Sequence, residues 1–300
     1  MTLWKGKTRG GALGYKIFIF FLQNFDISIS YFILRFVAFY FVFFSPNAFK
    51  AIFNFYHDGL NFSFGRSIMM IYKNYYSFGQ TLLDKVAVQA GFYNKFSYDF
   101  DDEKLLRQLI EEKTGGILIS AHLGNWEIAG HLLYRLDAKF RIVMLDAEHQ
   151  KVKKQLENVV GNKKIDVIVV KDDNSHIFEI YNSIKNGDFI CFHGDRFIEG
   201  SKTIITDFMG KKAEFPLGVF YLGQKFNIPI SFVFALKTAP KHYKFFLSSR
   251  KYFSNKSDRT QLDIEIHKIV NEYACNLEQM VRKYPEQWYN YYSFFYNENQ

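Results

Sequence analysis

Cysteine is scarce in this sequence, and its scarcity excludes one class of protein. The chain has 300 residues but only two cysteines, Cys191 and Cys275. A secreted domain that is stapled by disulfides needs more cysteines at closer spacing. We therefore expect both residues to be small buried side chains in a protein of a reducing compartment.

Several catalytic signatures are missing as well. Gly6-Lys7-Thr8 resembles the end of a phosphate-binding P-loop, but Met1 stands where the first glycine of that loop would be. The chain has no Gly-x-Ser-x-Gly sequence, which argues against the serine nucleophile of an α/β-hydrolase. Its eight histidines show neither His-x-x-x-His nor Cys/His ligand spacing. The sequence thus predicts neither a metal site nor a bound organic cofactor.

Apolar and aromatic side chains, by contrast, are abundant. Hydrophobic residues make up 48% of the chain and aromatic residues 19%, with 35 phenylalanines among them. Disordered chains have too little apolar surface to bury, so this composition indicates a folded protein. The aromatic content also exceeds what an ordinary soluble core requires, which favours contact with lipid or an acyl chain.

The charge balance is basic, with a net charge of +8 and a pI near 9.1. Such a balance favours partners that carry phosphate or acidic groups, such as anionic lipid headgroups or an acidic protein. Nucleic acid is not expected as a partner, because no recognisable nucleic-acid motif is present and the basic residues are dispersed among apolar ones. A role of the charge in solubility alone remains an alternative.

Two apolar runs stand near the N-terminus, at Tyr15–Leu22 and Ile27–Phe44. The second run carries Arg35 near its middle, and a central arginine costs a few kcal/mol on membrane-insertion scales. No short apolar segment ending in small residues follows, so a secretory signal is not expected. We expect one or two helices that lie in, or dip into, the membrane interface. A buried hairpin in the protein core is the alternative.

The residue pattern changes near residue 90. Region 1–90 has helical periodicity, including a long helix over Asn61–Gln89, and is expected to be a membrane-associated helical layer. In region 91–300, short β-branched or aromatic runs alternate with amphipathic stretches. The expected strands are Gly116–Ala121, Arg141–Leu145, Asp166–Val170, Asp188–Phe192, Ile228–Ala235 and Tyr243–Leu247. The expected helices are Asn125–Leu136, Glu148–Val160, Asn174–Lys185, Leu217–Phe226 and Arg259–Lys283. This alternation predicts an α/β domain with a largely parallel central sheet flanked by helices.

One stretch carries a pattern suited to catalysis, His122-Leu-Gly-Asn-Trp-Glu127. It follows a buried strand, and ligands of open α/β sheets bind beyond the carboxyl ends of the strands. Asn125 is a good helix N-cap, which puts Glu127 in the first helical turn, where a carboxylate is favoured. A histidine beside a carboxylate can act as the general base that activates a hydroxyl for acyl transfer. Amides around Gly124 and the helix N-terminus would then stabilise the oxyanion.

The sequence resembles the bacterial lipid A biosynthesis acyltransferases, a late-acyltransferase or lauroyltransferase family that is similar to glycerol-phosphate acyltransferases. Besides His122 and Glu127, the blocks that carry the resemblance are His193-Gly-Asp-Arg196, Phe208-Met-Gly210, Phe215-Pro-Leu-Gly218 and Tyr284-Pro-Glu-Gln-Trp288. The resemblance implies a fatty acyl donor carried as a thioester on acyl carrier protein, or less readily on coenzyme A. It also implies a membrane lipid or glycolipid acceptor, such as a lipid A precursor. The expected location is the inner membrane, with the active site facing the cytoplasm.

Carried onto this chain, the resemblance makes His122 the general base and Glu127 its partner. The residues expected to bind substrate are Gly124, Asn125, Asp195 and Arg196. An ion pair between Asp195 and Arg196 that is only structural is the alternative for those two residues. Other functions stay open at this point, namely acylation of a pigment or aminolipid, hydrolysis by a thioesterase or lipase-like enzyme, and lipid binding without catalysis.

Overall fold

The computed structural model describes most of the chain from residue 26 onward. The described residues are 26–126, 128, 138–145, 167–171, 173–197, 200–254 and 259–296. Three segments for which we expected helices lie wholly or largely outside these ranges, namely Tyr15–Leu22, Asn125–Leu136 and Glu148–Val160.

Helices form the first part of the described chain. They are α1 (Ile27–Phe44), α2 (Pro46–Asn54), a π-helical turn (Phe55–Gly59) and α3 (Phe64–Gln89). The Asp26 side chain accepts a hydrogen bond from the Ser28 amide and so caps α1. Pro46 has no amide hydrogen to continue α1, and it opens α2 instead. Helix α1 has the bounds expected from sequence, whereas α3 begins later than expected because Asn61 has a positive φ of 55°.

Nine strands follow in the described part of the chain. Strands β1 to β9 are Ser97–Phe100, Gly116–Ser120, Phe140–Leu145, Val167–Val170, Phe189–His193, Thr203–Phe208, Lys211–Pro216, Ile230–Ala239 and His242–Leu247. Seven of them form one sheet in the order β1-β9-β8-β2-β5-β3-β4, while β6 and β7 form a separate antiparallel hairpin. Within the large sheet only β8 and β9 pair antiparallel, and the other neighbours are parallel. The expected largely parallel sheet is confirmed.

The sequence pattern missed three strands. Strand β1 is short and pairs only with β9 at the edge of the sheet, so it offered little apolar signal. Strands β6 and β7 expose one face and carry charged residues such as Asp207 and Lys212. Their connection is a tight turn in which Met209 and Gly210 both adopt positive φ, as in a type I′ turn.

Four later helices are α4 (Glu103–Glu111), α5 (Ser175–Lys185), α6 (Gly218–Lys225) and α7 (Arg259–Lys283). The last three agree with the sequence pattern, whereas α4 was not expected. The buried Tyr273 of α7 lies against the sheet, and its hydroxyl donates to the Ser120 carbonyl at 2.8 Å. One expectation is wrong on this helix, since Cys275 is exposed on its outer face rather than buried. The boundary at residue 90 remains a prediction.

Candidate active site

Two parallel strands bring the expected site residues together. Ser120 of β2 lies opposite His193 of β5, so the carboxyl ends of both strands meet at the same edge of the sheet. His122 follows the first strand by two residues, and Asp195 follows the second by two. In open α/β sheets this edge is where ligands bind.

His122 and Asp195 are in direct contact. His122 Nδ1 lies 2.9 Å from Asp195 Oδ1, and the His122 amide donates to Asp195 Oδ2 at 2.9 Å. The Asp195 side chain is 2% exposed, whereas the His122 side chain is 20% exposed and can be reached from outside. The buried Asp195 carboxylate thus fixes the position of His122 from the interior of the protein.

The ionised state of Asp195 fixes the tautomer of the neutral His122 imidazole. Burial alone would raise the pKa of Asp195, but His122, through its charge and hydrogen bond, and Arg196 hold it well below its ordinary value. An ionised carboxylate only accepts hydrogen bonds, so the hydrogen between the two groups sits on Nδ1. In the neutral ring the other nitrogen, Nε2, carries no hydrogen and can act as a base.

A second histidine lies against the first. The His193 ring is centred 4.3 Å from that of His122, and the Trp126 ring meets it edge-on at 4.9 Å. Burial and the nearby His122 hold the pKa of His193 well below its ordinary value, although Asp195 opposes this shift. His193 is therefore neutral at neutral pH and forms an uncharged wall beside His122.

The turn after His122 is fixed by hydrogen bonds within the protein. Gly124 has a positive φ of 73°, and a Cβ at this position would lie 2.0 Å from the Ala235 carbonyl oxygen. The Gly124 amide donates to the Gln287 carbonyl at 2.9 Å, and the Asn125 amide donates to the Ala235 carbonyl at 2.8 Å. These two amides are thus engaged within the protein, while oxyanion stabilisation by the helix N-terminus and substrate binding at Gly124 remain predictions.

Asn125 caps the helix as the sequence predicted. Its Oδ1 accepts from the Ile128 amide at 3.2 Å, three residues along the chain. Its Nδ2 lies 3.3 Å from both the Thr81 carbonyl and the Tyr243 hydroxyl. Since the side chain is buried and bonded on all sides, Asn125 has a structural role here, and its role in substrate binding remains a prediction.

A C-terminal segment, Pro285–Tyr292, crosses the same edge. Trp288 is buried, and its Nε1 donates to Asp195 Oδ2 at 3.2 Å. The Tyr289 amide donates to the His122 carbonyl at 2.9 Å, and the Tyr292 hydroxyl donates to the Asp195 carbonyl at 3.0 Å. This segment therefore braces both members of the His122–Asp195 pair.

Arg196 is also bound to this segment. Its Nη2 donates to the Tyr289 carbonyl at 2.7 Å, and its guanidinium carbon lies 5.8 Å from the centre of the Tyr292 ring. Its Nε is buried, and no group of the described residues bonds to it. One edge of the guanidinium is thus used by the protein, and a role of Arg196 in substrate binding remains a prediction.

The structure brings five of the six expected site residues to one edge: His122, Gly124, Asn125, Asp195 and Arg196. The sixth, Glu127, lies outside the described residues. Sequence reasoning assigned no role to His193 or to the Trp288 indole. A signal for His193 was its position at the end of β5, a strand that lies parallel to the strand before His122. The contact of Trp288 with Asp195 joins residues too distant in sequence for a local pattern to predict.

Comparisons with known proteins identify the family of this chain. The family model described as bacterial lipid A biosynthesis acyltransferase matches residues 15–291. Among solved structures, the chain is similar to the 1-acyl-sn-glycerophosphate (LPA) acyltransferase PlsC from Thermotoga maritima. That similarity has a TM-score of 0.39 and 13% identity, and it covers 83% of this chain and 97% of the other. A comparison with curated protein sequences gave no significant match. Because the family match spans nearly the whole chain, this protein belongs to the bacterial lipid A biosynthesis acyltransferase family and is an acyltransferase.

Proposed function

We propose that this enzyme transfers a fatty acyl group from a thioester on acyl carrier protein to a hydroxyl of a membrane lipid or glycolipid, with His122 as general base. The observation that carries the proposal is the hydrogen bond between His122 Nδ1 and the buried Asp195 carboxylate. It leaves Nε2 as the basic nitrogen of a side chain that is 20% exposed. Family membership supplies the reaction class.

The chemistry needs one base with one oriented nitrogen. Nε2 of His122 removes the proton of the acceptor hydroxyl as its oxygen attacks the thioester carbonyl carbon. The tetrahedral oxyanion then collapses, the carbon–sulfur bond breaks, and the thiolate takes the proton back from the imidazolium. The products are an ester and the free thiol of the carrier.

Two carboxylates are candidates for stabilising the imidazolium. Asp195 lies at Nδ1, where an ionised carboxylate fixes the ring tautomer and offsets the positive charge of the protonated ring. Glu127, the partner expected from the sequence, is retained as the second candidate. Substitution of each carboxylate by its amide distinguishes the two.

The proposed acceptor is a lipid because the enzyme presents an apolar helix. Helix α1 is long and apolar enough to cross a membrane by length and composition, and it is the one such helix in the described part of the chain. Its exposed side chains include Phe32, Phe36, Phe39 and Phe43, each more than half exposed. A row of exposed phenylalanines of this extent is typical of a surface that contacts lipid. We propose attachment to the cytoplasmic face of the inner membrane through this helix.

The proposed donor fits the charge of the chain. Acyl carrier protein is the carrier that the family resemblance implies, and the net charge of +8 suits an acidic partner. Coenzyme A, which also carries phosphates, is the alternative donor.

The test measures thiol release and lipid products together. Purified enzyme is incubated with acyl carrier protein thioesters of graded chain length, or with the matching coenzyme A thioesters, with and without a membrane lipid extract. We expect thiol release that depends on the extract, together with an acylated lipid detected by mass spectrometry. Thiol release without the extract, accompanied by free fatty acid, would instead identify a hydrolase. Equal rates with acyl carrier protein thioesters and coenzyme A thioesters would contradict the proposal that acyl carrier protein is the donor.

A further inference from the structure

A buried charged cluster joins four elements of the protein. It consists of Tyr31 of α1, Asp84 of α3, Lys237 of β8 and Tyr243 of β9. Lys237 Nζ lies 2.7 Å from Asp84 Oδ2 and 2.9 Å from the Tyr31 hydroxyl. The Tyr31 hydroxyl donates to Asp84 Oδ1, and the Tyr243 hydroxyl donates to Asp84 Oδ2. The proposed chemistry uses none of these four residues.

Stability alone does not account for the cluster. The side chain of Asp84 is fully buried, and that of Lys237 is 10% exposed. Removing such a pair of charges from water offsets most of their attraction, so apolar residues of similar volume are often as stabilising. Buried polar groups of this kind can instead fix one conformation where apolar groups would permit several.

Tyr243 connects the cluster to the catalytic turn, which is formed by residues 122–125. The Asp84 carboxylate can only accept, so the hydroxyl hydrogen of Tyr243 is committed to it and the hydroxyl oxygen is left to accept from Asn125 Nδ2 at 3.3 Å. Burial, and after it Asp84, raises the pKa of Tyr243 well above its ordinary value, so the hydroxyl keeps its hydrogen. With Nδ2 held in this way, Asn125 Oδ1 faces the Ile128 amide that it caps.

The backbone of Lys237 reaches the same turn from the other side. The Lys237 amide donates to Gln287 Oε1 at 2.9 Å, and Gln287 Nε2 donates to the Lys237 carbonyl at 2.7 Å. The carbonyl of Gln287 in turn accepts from the Gly124 amide at 2.9 Å. The turn that follows His122 is therefore held between two chains of hydrogen bonds that both pass through the cluster.

We propose that Tyr243 is a positioning residue for catalysis, which orients Asn125 and thereby the turn that carries His122. This inference rests on the proposed role of His122 as general base. The hydroxyl of Tyr243 contacts no reacting group, and it acts by giving the turn a single conformation. Because Asp84 also binds Tyr31 of α1, the same hydrogen bonds connect the catalytic turn to the apolar helix.

The chain offers a matched pair of variants for the test. Tyr243→Phe removes the hydroxyl that joins Asp84 to Asn125, while Tyr31→Phe removes the other tyrosine hydroxyl on Asp84 and leaves Asn125 untouched. We expect Tyr243→Phe to lower kcat by on the order of tenfold, since small misplacements of a catalytic group have effects of this size or larger. KM for donor and acceptor should change little. Tyr31→Phe should keep kcat within about twofold at a similar loss of thermal stability.

Hydrogen exchange gives a readout that does not depend on activity. In the full-length protein, amides of residues 122–130 should exchange faster in Tyr243→Phe than in wild type, whereas Tyr31→Phe should leave them unchanged. If His122→Asn keeps wild-type turnover, the proposed function fails, and the exchange comparison still decides whether Tyr243 fixes the turn. Equal effects of the two tyrosine variants on kcat and exchange, or no effect of Tyr243→Phe, would overturn the proposal.

A double-mutant cycle tests whether Tyr243 acts through Asn125. Asn125→Asp keeps an oxygen to cap the helix but can no longer donate to Tyr243. If the two residues act as one unit, the Tyr243→Phe/Asn125→Asp double variant should lose no more kcat than the more damaging single variant. Additive losses would show that Tyr243 acts by another route and would overturn the inference. The Asn125→Asp variant also serves if Tyr243→Phe does not fold, because it is expected to show the same faster exchange.

Discussion

Large aromatic side chains are buried in one region of this protein and exposed to solvent in another. The catalytic edge is the edge of the sheet that carries His122 and Asp195. Beside it, Trp288 packs against Phe208 and Phe294, and all three side chains are buried. On α1, Phe36 is 66% exposed and Phe43 is 64% exposed. In the first region the covering surface comes from the chain itself. In the second region the described residues supply no such cover.

The difference separates two kinds of interaction. The catalytic edge depends on directional hydrogen bonds between segments far apart in sequence, such as those that Asp195 accepts from His122 and Trp288. The exposed face of α1 offers only apolar area, whose burial is non-directional and proportional to that area. Substitutions at the edge should therefore change turnover sharply, whereas substitutions on α1 should change membrane binding gradually.

The largest effect is expected at the carboxylate of the catalytic edge. Asp195→Asn should lower kcat by ~10²–10³-fold, because the amide neither fixes the Nδ1 tautomer nor balances the imidazolium charge. Asp188 is the matched control, since it is buried directly before β5, the strand that Asp195 follows, and pairs with Arg141 at 2.8 Å. Asp188→Asn should reduce thermal stability and leave the kcat of the folded enzyme close to wild type.

Glu127→Gln decides between the two candidate carboxylates. If Asp195 is the partner of His122, this variant should lose less activity than Asp195→Asn. A Glu127→Gln variant that loses more kcat would return the partner role to Glu127, as the sequence pattern alone suggested.

The next effect is expected at the exposed face of α1. Phe36→Glu together with Phe43→Glu should weaken binding to vesicles of anionic lipid by at least tenfold, because burying a phenylalanine contributes about 1.5–3 kcal/mol. Phe178 of α5 is 75% exposed, and Phe178→Glu is the control that should bind vesicles as wild type does. High salt should release little wild-type protein. Complete release by salt would show that charge alone attaches the protein.

A smaller effect is expected at Arg196. Lysine can replace the single bond to the Tyr289 carbonyl, so Arg196→Lys should barely change the melting temperature. It cannot replace a two-point contact with a phosphate or carboxylate, so KM for one substrate should rise several-fold. Varying donor and acceptor separately identifies which substrate Arg196 binds. Unchanged KM values for both would leave Arg196 with the structural contact alone.

The smallest effect concerns the pH dependence of stability. The pKa of His193 is lowered in the folded protein by burial and by His122, so below its ordinary value of about 6.5 the unfolded chain binds a proton that the folded chain does not. Stability should fall as the pH drops from about 6.5 toward 5. Because His122, Asp195 and Arg196 also face this ring, His193→Phe isolates its contribution.

Urea unfolding at pH 7 and pH 5.5 is the measurement. The wild type should lose about 1 kcal/mol more than His193→Phe over this range. Equal losses would show that His193 is not held neutral by the fold.

Much of the fold could be predicted because its signals are local. The apolar run of α1, the strand before His122 and the amphipathic pattern of α7 each agree with the structure in position and type. The hairpin of β6 and β7 was missed because its strands expose charged side chains on one face. Sheet order and the antiparallel pair of β8 with β9 depend on tertiary packing that no local pattern encodes.

The candidate site could be predicted only in part. His122 stood out because a histidine at the end of a buried strand precedes a glycine turn and a helix N-cap. The bond between His122 and Asp195 joins residues 73 positions apart, and the sequence supplied a nearer carboxylate at Glu127. The contacts of Trp288 and Tyr243 arise only when the C-terminal segment and β9 are folded against that turn.

The turnover of His122→Asn tests the role of His122 as general base. The asparagine amide can still donate to Asp195, so the fold and the neighbouring hydrogen bonds should persist, but no base remains to take the proton of the acceptor hydroxyl. Acyl transfer from acyl carrier protein to the membrane lipid extract should fall by ~10²-fold or more, with the melting temperature within a few degrees of wild type. Transfer at the wild-type rate by a folded His122→Asn enzyme would show that His122 is not the general base.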